Sequence, residues 1–206
     1  MDTKAFSSKD IYQEKFQKYG VSPKSLLWKE KGAAHQRFRQ FWAEIDFNQK
    51  AVLDIGCGFG ELGNFLTKRY KGVSYTGMDI VPEFIKEGKK LYPKLDLVLG
   101  NYLTDRVYKK YDIVVASGIL NSNMGEENLK YRTDAVNKMW AYTKDILAFN
   151  MLGGHPQPTN DPKSNIWYAD SLEIFKYCMG LTRRVILRAN YHPRDFTILL
   201  YKVKDQ

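Results

Sequence analysis

Short apolar runs alternate with amphipathic segments through the middle of this chain. The apolar runs cover residues 51–55, 74–79, 95–99, 112–116 and 146–151, and helical patterns lie near 61–70, 82–91 and 126–143. Such alternation indicates right-handed βαβ units. The middle of the chain is therefore predicted to be α/β, with helices on both faces of a mostly parallel sheet in a three-layer α-β-α sandwich.

The N-terminal part follows a different pattern. A first helix is predicted to begin after Ser7 or Ser8 and to end at Gly20, and a second covers about residues 34–47. We expect residues 1–47 to form N-terminal helices that cover a ligand site, and residues 48–206 to form the ligand-binding domain.

The C-terminal part also departs from the alternation. A helix near 170–179 precedes two apolar runs at 184–189 and 196–203, which a short loop joins. Because strands with a tight connection pair antiparallel, the last strand is predicted to oppose the others. The proline-containing segment 153–166 is either a lid or binding loop or a plain surface excursion.

Composition limits the classes of protein. The chain has 206 residues, 44% of them hydrophobic, and two cysteines, which predicts one globular domain without a disulfide framework. No secretion signal or membrane span is recognisable, so a cytoplasmic protein is expected. The net charge of +9 suits an anionic partner such as RNA or a phosphorylated metabolite, or simply a solvated basic surface.

A glycine-rich loop follows the first apolar run. Residues 52–63 read VLDIGCGFGELG, with Gly56, Gly58 and Gly60 at alternate positions. Glycines let the backbone turn sharply and approach a ligand closely, and Cys57 between them is small enough for the same turn. The spacing alone also satisfies a dinucleotide fingerprint, so it does not select the cofactor.

The charged residues around the glycine-rich loop do select the cofactor. Asp54 lies two residues before Gly56, and Glu61 begins the next helix, where a nucleotide enzyme would hold phosphate. Carboxylates there suit a cationic ligand that lacks phosphate. S-adenosylmethionine, with its sulfonium and ammonium groups, is the predicted cofactor, and a nicotinamide cofactor is disfavoured.

Later strand ends supply further cofactor contacts. Asp79 ends the second strand and is predicted to hold the ribose hydroxyls, while Ile80 covers one face of the adenine. After the third strand, Asn101 is predicted to meet the adenine amino edge and Tyr102 to pack on the ring. Asn101 as an ordinary turn residue is the alternative.

These features together resemble the class I S-adenosylmethionine-dependent methyltransferases over roughly residues 34–203. The resemblance implies a Rossmann-like sheet of seven strands in the order 3-2-1-4-5-7-6, with strand 7 antiparallel. It also implies cofactor contacts at Asp54, Gly56, Gly58, Asp79 and Ile80. Asn101 departs from the pattern, because many members have Asp at that position. The C-terminal sequence is similar to small bacterial members of unassigned substrate.

The methyl acceptor is expected at the carboxyl ends of strands four and five. Ser117 is predicted to contact the cofactor there, and Asn121, Asn150 and His155 are the candidate catalytic residues. A general base is needed for some oxygen or carbon acceptors, whereas alignment can suffice for others. Tyr131 and Tyr168 are either cavity residues or core residues. No metal site is expected.

Two more side chains belong to the predicted cover. Arg37 and Trp28 either close over the cofactor from the N-terminal helices or form an ordinary packing face.

The leading functional hypothesis is methyl transfer to a small-molecule acceptor, which the charge would allow to be anionic. The alternatives are an RNA-modifying methyltransferase, favoured by the net charge, and a non-catalytic protein that retains the fold. The acceptor atom and the oligomeric state stay open.

Overall fold

A computed structural model of the chain describes residues 8–27, 31–106 and 108–203. The predicted cap Ser7 and the cover residue Trp28 lie outside the described residues. Within them, no helix is long and apolar enough to cross a lipid bilayer.

A single twisted sheet forms the centre of the fold. Its strands are β1 (Ala51–Ile55), β2 (Ser74–Asp79), β3 (Asp96–Leu99), β4 (Tyr111–Ser117), β5 (Thr143–Gly154), β6 (Ala169–Asp170), β7 (Val185–Arg188) and β8 (Asp195–Tyr201). The main path runs β3-β2-β1-β4-β5-β8-β7, with β8 antiparallel to both of its neighbours. This confirms the Rossmann-like fold class, the strand order and the reversed last strand.

The sheet has one strand more than the seven predicted. Strand β6 has two residues and pairs with the end of β5, which runs three residues past the predicted end at Met151. Gly153 makes this pairing possible, because its φ is 153° and a Cβ there would overlap the backbone of Ala169. The periodicity of the sequence gave no sign of so short a strand.

The described residues form six α-helices. They are α1 (Ser8–Tyr19), α2 (Lys31–Trp42), α3 (Glu61–Arg69), α4 (Pro82–Leu91), α5 (Asn128–Tyr142) and α6 (Ser171–Leu181). The second helix ends earlier than the predicted residue 47. A turn follows it, in which the side chain of Asp46 accepts a hydrogen bond of 3.0 Å from the amide of Asn48, and a side chain that satisfies its own backbone in this way favours a turn over a helix.

Two hydrophobic layers enclose the sheet and confirm the sandwich. Alternate residues of each strand face opposite layers, so Leu53 packs with α5 and α6, while Val52 packs with α2 and α3. Asp54 shares the side of Val52. The sheet register then brings the carboxyl ends of β1, β2 and β4 together at one edge.

Candidate cofactor and acceptor site

One large cavity lies at the carboxyl edge of the sheet. Its volume is about 1260 Å³, and its wall comes from the glycine loop, the ends of β2 and β4, and helix α1. Small-molecule sites typically enclose roughly 300–1,000 Å³. The cavity therefore has room for a cofactor and a second small molecule beside it.

The glycine loop folds back onto strand β2. The amides of Gly56 and Cys57 both donate to the carbonyl of Met78, at 2.8 and 3.1 Å. Gly56 has a φ of 72°, and a Cβ there would overlap the side chain of Ile119. Gly58 has a φ of 56°. These positions require glycine for backbone conformation, and Gly56 also requires it for space.

The members of this loop have different positions relative to the cavity. Gly56, Cys57 and Gly58 line it, whereas Gly60 lies behind the wall as the N-cap of α3. Burial raises the pKa of the Cys57 thiol well above its usual value, so this sulfur stays protonated.

Asp79 is held rigidly at the cavity wall. One carboxylate oxygen accepts from the amide of Gly58 at 2.9 Å, and the other accepts from the amide of Val81 at 3.0 Å. Each oxygen keeps further acceptor capacity for a ligand. Burial raises the pKa of Asp79 to about 6, although these two amides oppose the shift.

Asp54 is almost fully buried behind the loop and also lines the cavity. The hydroxyl of Tyr75 donates to its carboxylate at 2.7 Å. Burial raises the pKa of Asp54 to about 7, and the nearby charge of Asp79 adds to the rise. A cation bound in the cavity would favour the ionised form of both carboxyl groups.

The charge of this half of the cavity fits the predicted cofactor. Asp54, Glu61 and Asp79 all lie on its wall. A sulfonium or ammonium group gains from such neighbours, whereas a pyrophosphate would be repelled. The bare backbone at Gly56 and Gly58 leaves space for close approach, and Asp79 offers acceptors for ribose hydroxyls.

The predicted adenine contacts also lie on the cavity wall. Ile80, Asn101 and Tyr102 line the cavity. Asn101 also has a local role, because its side-chain oxygen accepts from the amide of Leu103 at 3.1 Å. Asn101 is exposed, whereas Tyr102 is buried.

The predicted acceptor residues divide into two groups. Ser117 and Asn121 line the cavity. Asn150 lies behind Ser117, whose hydroxyl donates to the Asn150 side-chain oxygen at 3.2 Å. His155 does not line the cavity and pairs instead with Asp170 at 3.1 Å.

Asn121 has a structural task at this edge. Its side-chain nitrogen donates to the carbonyl of Gly118 at 3.1 Å, and its side-chain oxygen accepts from the amide of Leu152 at 2.8 Å. Its carbonyl accepts from the amide of Trp167 at 2.9 Å. Asn121 thus ties the loop after β4 to the segment that follows β5.

The end of segment 153–166 reaches the cavity. Ser122 and Ile166 form an isolated antiparallel bridge, and Asn165 accepts from the amide of Asn123 at 2.9 Å. Ser164, Asn165 and Ile166 line the cavity. We refer to residues 155–165 as the pinned loop, because β6 holds its base at one end and this bridge holds it at the other.

Helix α1 forms one part of the cavity wall. The ring of Phe16 lies 6.2 Å from that of Phe59 in the glycine loop and 6.0 Å from that of Phe84 in α4. Gln13 donates to Glu83 at 3.1 Å. Tyr12 lines the cavity, and its pKa is raised to about 12, chiefly by burial and next by Asp79 and Tyr131.

Arg37 on α2 contributes a cationic group to the wall. It forms an ion pair with the buried Asp195 of β8, which Tyr191 also contacts. The charge of Arg37 is therefore compensated within the protein.

A second arginine is less expected. Arg132 of α5 is completely buried and lies between the rings of Tyr131, at 5.3 Å, and Trp167, at 4.4 Å. It donates to the carbonyls of Ser122 and Asn128 and to the Asn128 side chain. Among the described residues, no carboxylate forms an ion pair with it.

Sequence reasoning missed Tyr12 and Arg132. Tyr12 and Phe16 are four residues apart on α1, a spacing that places both on one helix face and could have identified this contact surface. A buried arginine on an amphipathic helix has no such sequence feature. Tyr131, for which the core reading was also open, lines the cavity, and Tyr168 does not.

Sequence comparisons show that the chain is similar to methyltransferases. Residues 53–145 match a methyltransferase domain family. A Mycobacterium tuberculosis protein named as a methyltransferase is 26% identical over 159 residues, which cover 74% of this chain and 93% of that protein. The malonyl-[acyl-carrier protein] O-methyltransferase of Priestia megaterium is 26% identical over 53% of this chain. This chain spans 41% of that longer enzyme.

Solved structures share the fold. The magnesium protoporphyrin IX methyltransferase of Synechocystis, with bound S-adenosylhomocysteine, has a TM-score of 0.64 at 14% identity, covering 83% of this chain and 84% of that one. The DhpI complex with S-adenosylhomocysteine has a TM-score of 0.63 at 14% identity, covering 91% of each chain.

Proposed function

We propose that this chain is a class I S-adenosylmethionine-dependent methyltransferase and that its methyl acceptor is a small molecule. The observation that carries the proposal is the shape of the site. The acceptor end of the cavity is a recess walled by the loop after β4, the pinned loop and α1. A recess of this kind fits a compact acceptor better than a folded macromolecule.

The names of similar proteins bear on the choice between a small molecule and RNA. The malonyl-[acyl-carrier protein] O-methyltransferase and the magnesium protoporphyrin IX methyltransferase are both named for acceptors other than nucleic acids.

The residues of the cavity wall divide the work between cofactor and acceptor. The glycine loop and Asp79 would hold the cofactor, with Asp54 favouring its cationic end. The bound cofactor supplies an activated methyl group on a sulfonium, which is a good leaving group. Alignment of the acceptor by the walls around Ser117 and Asn121 can then account for much of the rate enhancement.

The N-terminal helices would act as a cover. Tyr12 and Phe16 exclude water from the space above Asp79, since Phe16 seals against Phe59 and Phe84. Water exclusion strengthens the electrostatic interactions within the site. We expect α1 to move when the cofactor enters, because Tyr12 lies on the inner wall of the cavity.

An RNA acceptor is the second candidate, because of the net charge of +9. It predicts salt-sensitive retention on RNA together with transfer of labelled methyl groups to it.

Calorimetry tests the cofactor site. The protein should bind S-adenosylmethionine and S-adenosylhomocysteine, and Asp79→Ala should weaken both by about 100-fold, since it removes a charge-assisted contact of roughly 1.5–3 kcal/mol and the support of two amides. Asp112→Ala is the matched control, because Asp112 also accepts from a backbone amide, that of Ala51, but at the opposite edge of the sheet.

The acceptor is tested with labelled cofactor and two pools from the same cells, a small-molecule extract and total RNA. Label in the small-molecule pool supports the proposal. Label in RNA alone would contradict it, and binding of the cofactor without transfer to either pool would favour the non-catalytic alternative.

A further inference from the structure

Three phenol groups lie on the cavity wall and one buried cation lies behind it; one of the three, Tyr102, is also a predicted adenine contact. Tyr12, Tyr102 and Tyr131 line the cavity, and Arg132 lies directly behind Tyr131. Tyr131 is near enough to Tyr12 and to Tyr102 to affect the pKa of each. We call Tyr102, Tyr131 and Arg132 the donor cluster.

The donor cluster has unused hydrogen-bonding capacity. The hydroxyl of Tyr102 is buried and has no partner with hydrogen-bond geometry, although Tyr131 is close by. The Nε of Arg132 is also buried without a partner. Buried polar groups without partners are costly, and a cluster of them beside a cavity favours a ligand that supplies the missing acceptor atoms.

These groups act as donors at neutral pH. Burial raises the pKa of Tyr131, and that of Tyr102 well above its usual value, so both phenols stay protonated. Burial lowers the pKa of Arg132 only to about 10, so the guanidinium stays charged. The cluster therefore presents hydroxyl groups backed by a positive charge.

That charge is not neutralised within the described part of the protein. The other cavity arginine, Arg37, is paired with Asp195. Arg132 donates hydrogen bonds to neutral carbonyl and amide oxygens, and no carboxylate pairs with it in the described ranges. An isolated buried charge is expensive, and a bound anion nearby would offset part of that cost.

The same wall is poor in general bases. No histidine of the described residues lines the cavity. The carboxylates on the cavity wall are Asp54, Glu61, Asp79 and Asp105. Asp54 accepts from Tyr75, Asp79 from two amides and Asp105 from the amide of Asn101, and Glu61 begins helix α3. An acceptor that must lose a proton is poorly served here, whereas one already ionised at neutral pH needs no base.

We propose that the acceptor is a carboxylate, held by the hydroxyls of Tyr102 and Tyr131 in front of the Arg132 guanidinium, and that the product is a methyl ester. This proposal rests on the proposed function and names the class of its substrate. A carboxylate oxygen forms the new bond to the methyl carbon, and the carbon–sulfur bond breaks with its electron pair left on sulfur. No proton is transferred, and both products of the step are neutral at the reacting atoms.

Binding measurements on the protein loaded with S-adenosylhomocysteine test the donor cluster directly. The probes are two matched pairs of acid and amide: 2-naphthoate with 2-naphthamide, and octanoate with octanamide. At least one acid should bind more tightly than its amide. Tyr102→Phe and Tyr131→Phe should each weaken that acid by about 10-fold, the loss expected for one hydrogen bond to a charged group, and leave the amide within about twofold.

Tyr111→Phe is the control, because Tyr111 is buried at the opposite end of β4. It should change neither probe. Equal binding of acids and amides by the unaltered protein would overturn the proposal. So would a loss of S-adenosylhomocysteine affinity in the Tyr102 and Tyr131 variants, since the cluster would then belong to the cofactor site.

The product provides a second readout. Small-molecule extract incubated with enzyme and labelled cofactor should yield label that mild alkali releases as methanol, as a methyl ester does. Alkali-stable label would overturn the carboxylate proposal and leave the proposed function intact. Failure to bind S-adenosylhomocysteine at all would instead contradict the proposed function.

Discussion

Single residues in the glycine loop serve two separate requirements, backbone conformation and free space. Gly56 and Gly20 have similar positive φ angles, 72° and 59°. A Cβ at Gly56 would overlap Ile119, whereas no described residue other than the chain neighbours of Gly20 lies within 4 Å of a Cβ there. Comparing Gly56 with Gly20, which lies outside the glycine loop, therefore separates the cost of the backbone conformation from the cost of the steric overlap.

Gly20→Ala should lower the free energy of unfolding by about 1–2 kcal/mol, the cost of a left-handed alanine. Gly56→Ala should lower it by about 1–3 kcal/mol more, because Ile119 must move. Urea unfolding of the ligand-free variants measures both. Equal losses would show that the contact with Ile119 is relieved at no cost.

The ionisation of Asp54 makes a prediction about pH. Its pKa is raised from 3.8 to about 7 in the folded, ligand-free protein. The unfolded chain therefore loses this proton first as pH rises, and the contribution of Asp54 to stability falls between about pH 4 and pH 7. Asp54→Asn removes that penalty and can still accept from Tyr75.

The gain in the free energy of unfolding from Asp54→Asn should be about 2–3 kcal/mol larger at pH 8 than at pH 5. Denaturant unfolding at the two pH values measures it. The same variant should bind S-adenosylmethionine less tightly, because the cation loses a negative neighbour. A loss of stability that does not vary with pH would contradict the burial of Asp54 as an ionisable group.

At the scale of secondary-structure elements, helix α1 is predicted to control the release of the bound cofactor. Phe16 contacts the glycine loop and α4, while Tyr19 on the same helix is 38% exposed. Phe16→Ala should speed S-adenosylhomocysteine dissociation by about 10-fold, because the cover opens more often, and Tyr19→Ala should have little effect. Stopped-flow dissociation measures this.

Hydrogen exchange complements the kinetics. If α1 is a cover, its amides should gain protection when S-adenosylhomocysteine binds, and lose that gain in Phe16→Ala. Unchanged exchange in α1 would show that the helix is a fixed part of the wall.

The strands and helices differ in how well the sequence predicts them. The periods of 2 and 3.6 residues located the strands and helices of the sandwich because one face of each is buried along its length. Strand β6 has two residues and no period, and it exists because Gly153 lets another backbone approach. The early end of α2 depends on the Asp46 turn, which competes with one more helical turn.

The same contrast holds for the candidate site. Asp54, Gly56 and Asp79 were predictable because local chain geometry carries them to the carboxyl edge of the sheet. The donor cluster was not, since it combines the segment after β3 with helix α5, and the proximity of these two elements depends on tertiary packing. The roles of Asn121, Asn150 and His155 stay predictions, and His155 lies away from the cavity wall.

At the scale of the whole molecule, several lysines lie far from the cavity. Lys110 precedes β4 and Lys202 follows the antiparallel β8, so both lie at the amino edge of the sheet. Lys110 is near enough to lower the pKa of Lys202. Lys50 and Lys144 occupy the same edge, but each pairs with an aspartate.

Any RNA retention should therefore depend on the edge opposite the cavity. Lys110→Gln with Lys202→Gln should weaken retention and reduce its salt slope by about 1–2, without changing S-adenosylhomocysteine affinity. Filter binding over a salt series measures it. If Lys9→Gln with Lys15→Gln, at the cavity wall, has the larger effect, the RNA-acceptor alternative is favoured.

The pinned loop has a consequence for how this protein can diverge. Pairing of Gly153 with Ala169 and of Ser122 with Ile166 anchors its base independently of the residues between. After gene duplication, insertions or replacements within residues 156–163 would reshape the rim of the recess without disturbing the sheet. Natural variation should thus accumulate there first, and lineages with new acceptors should differ in the length of this loop while retaining the same cofactor chemistry.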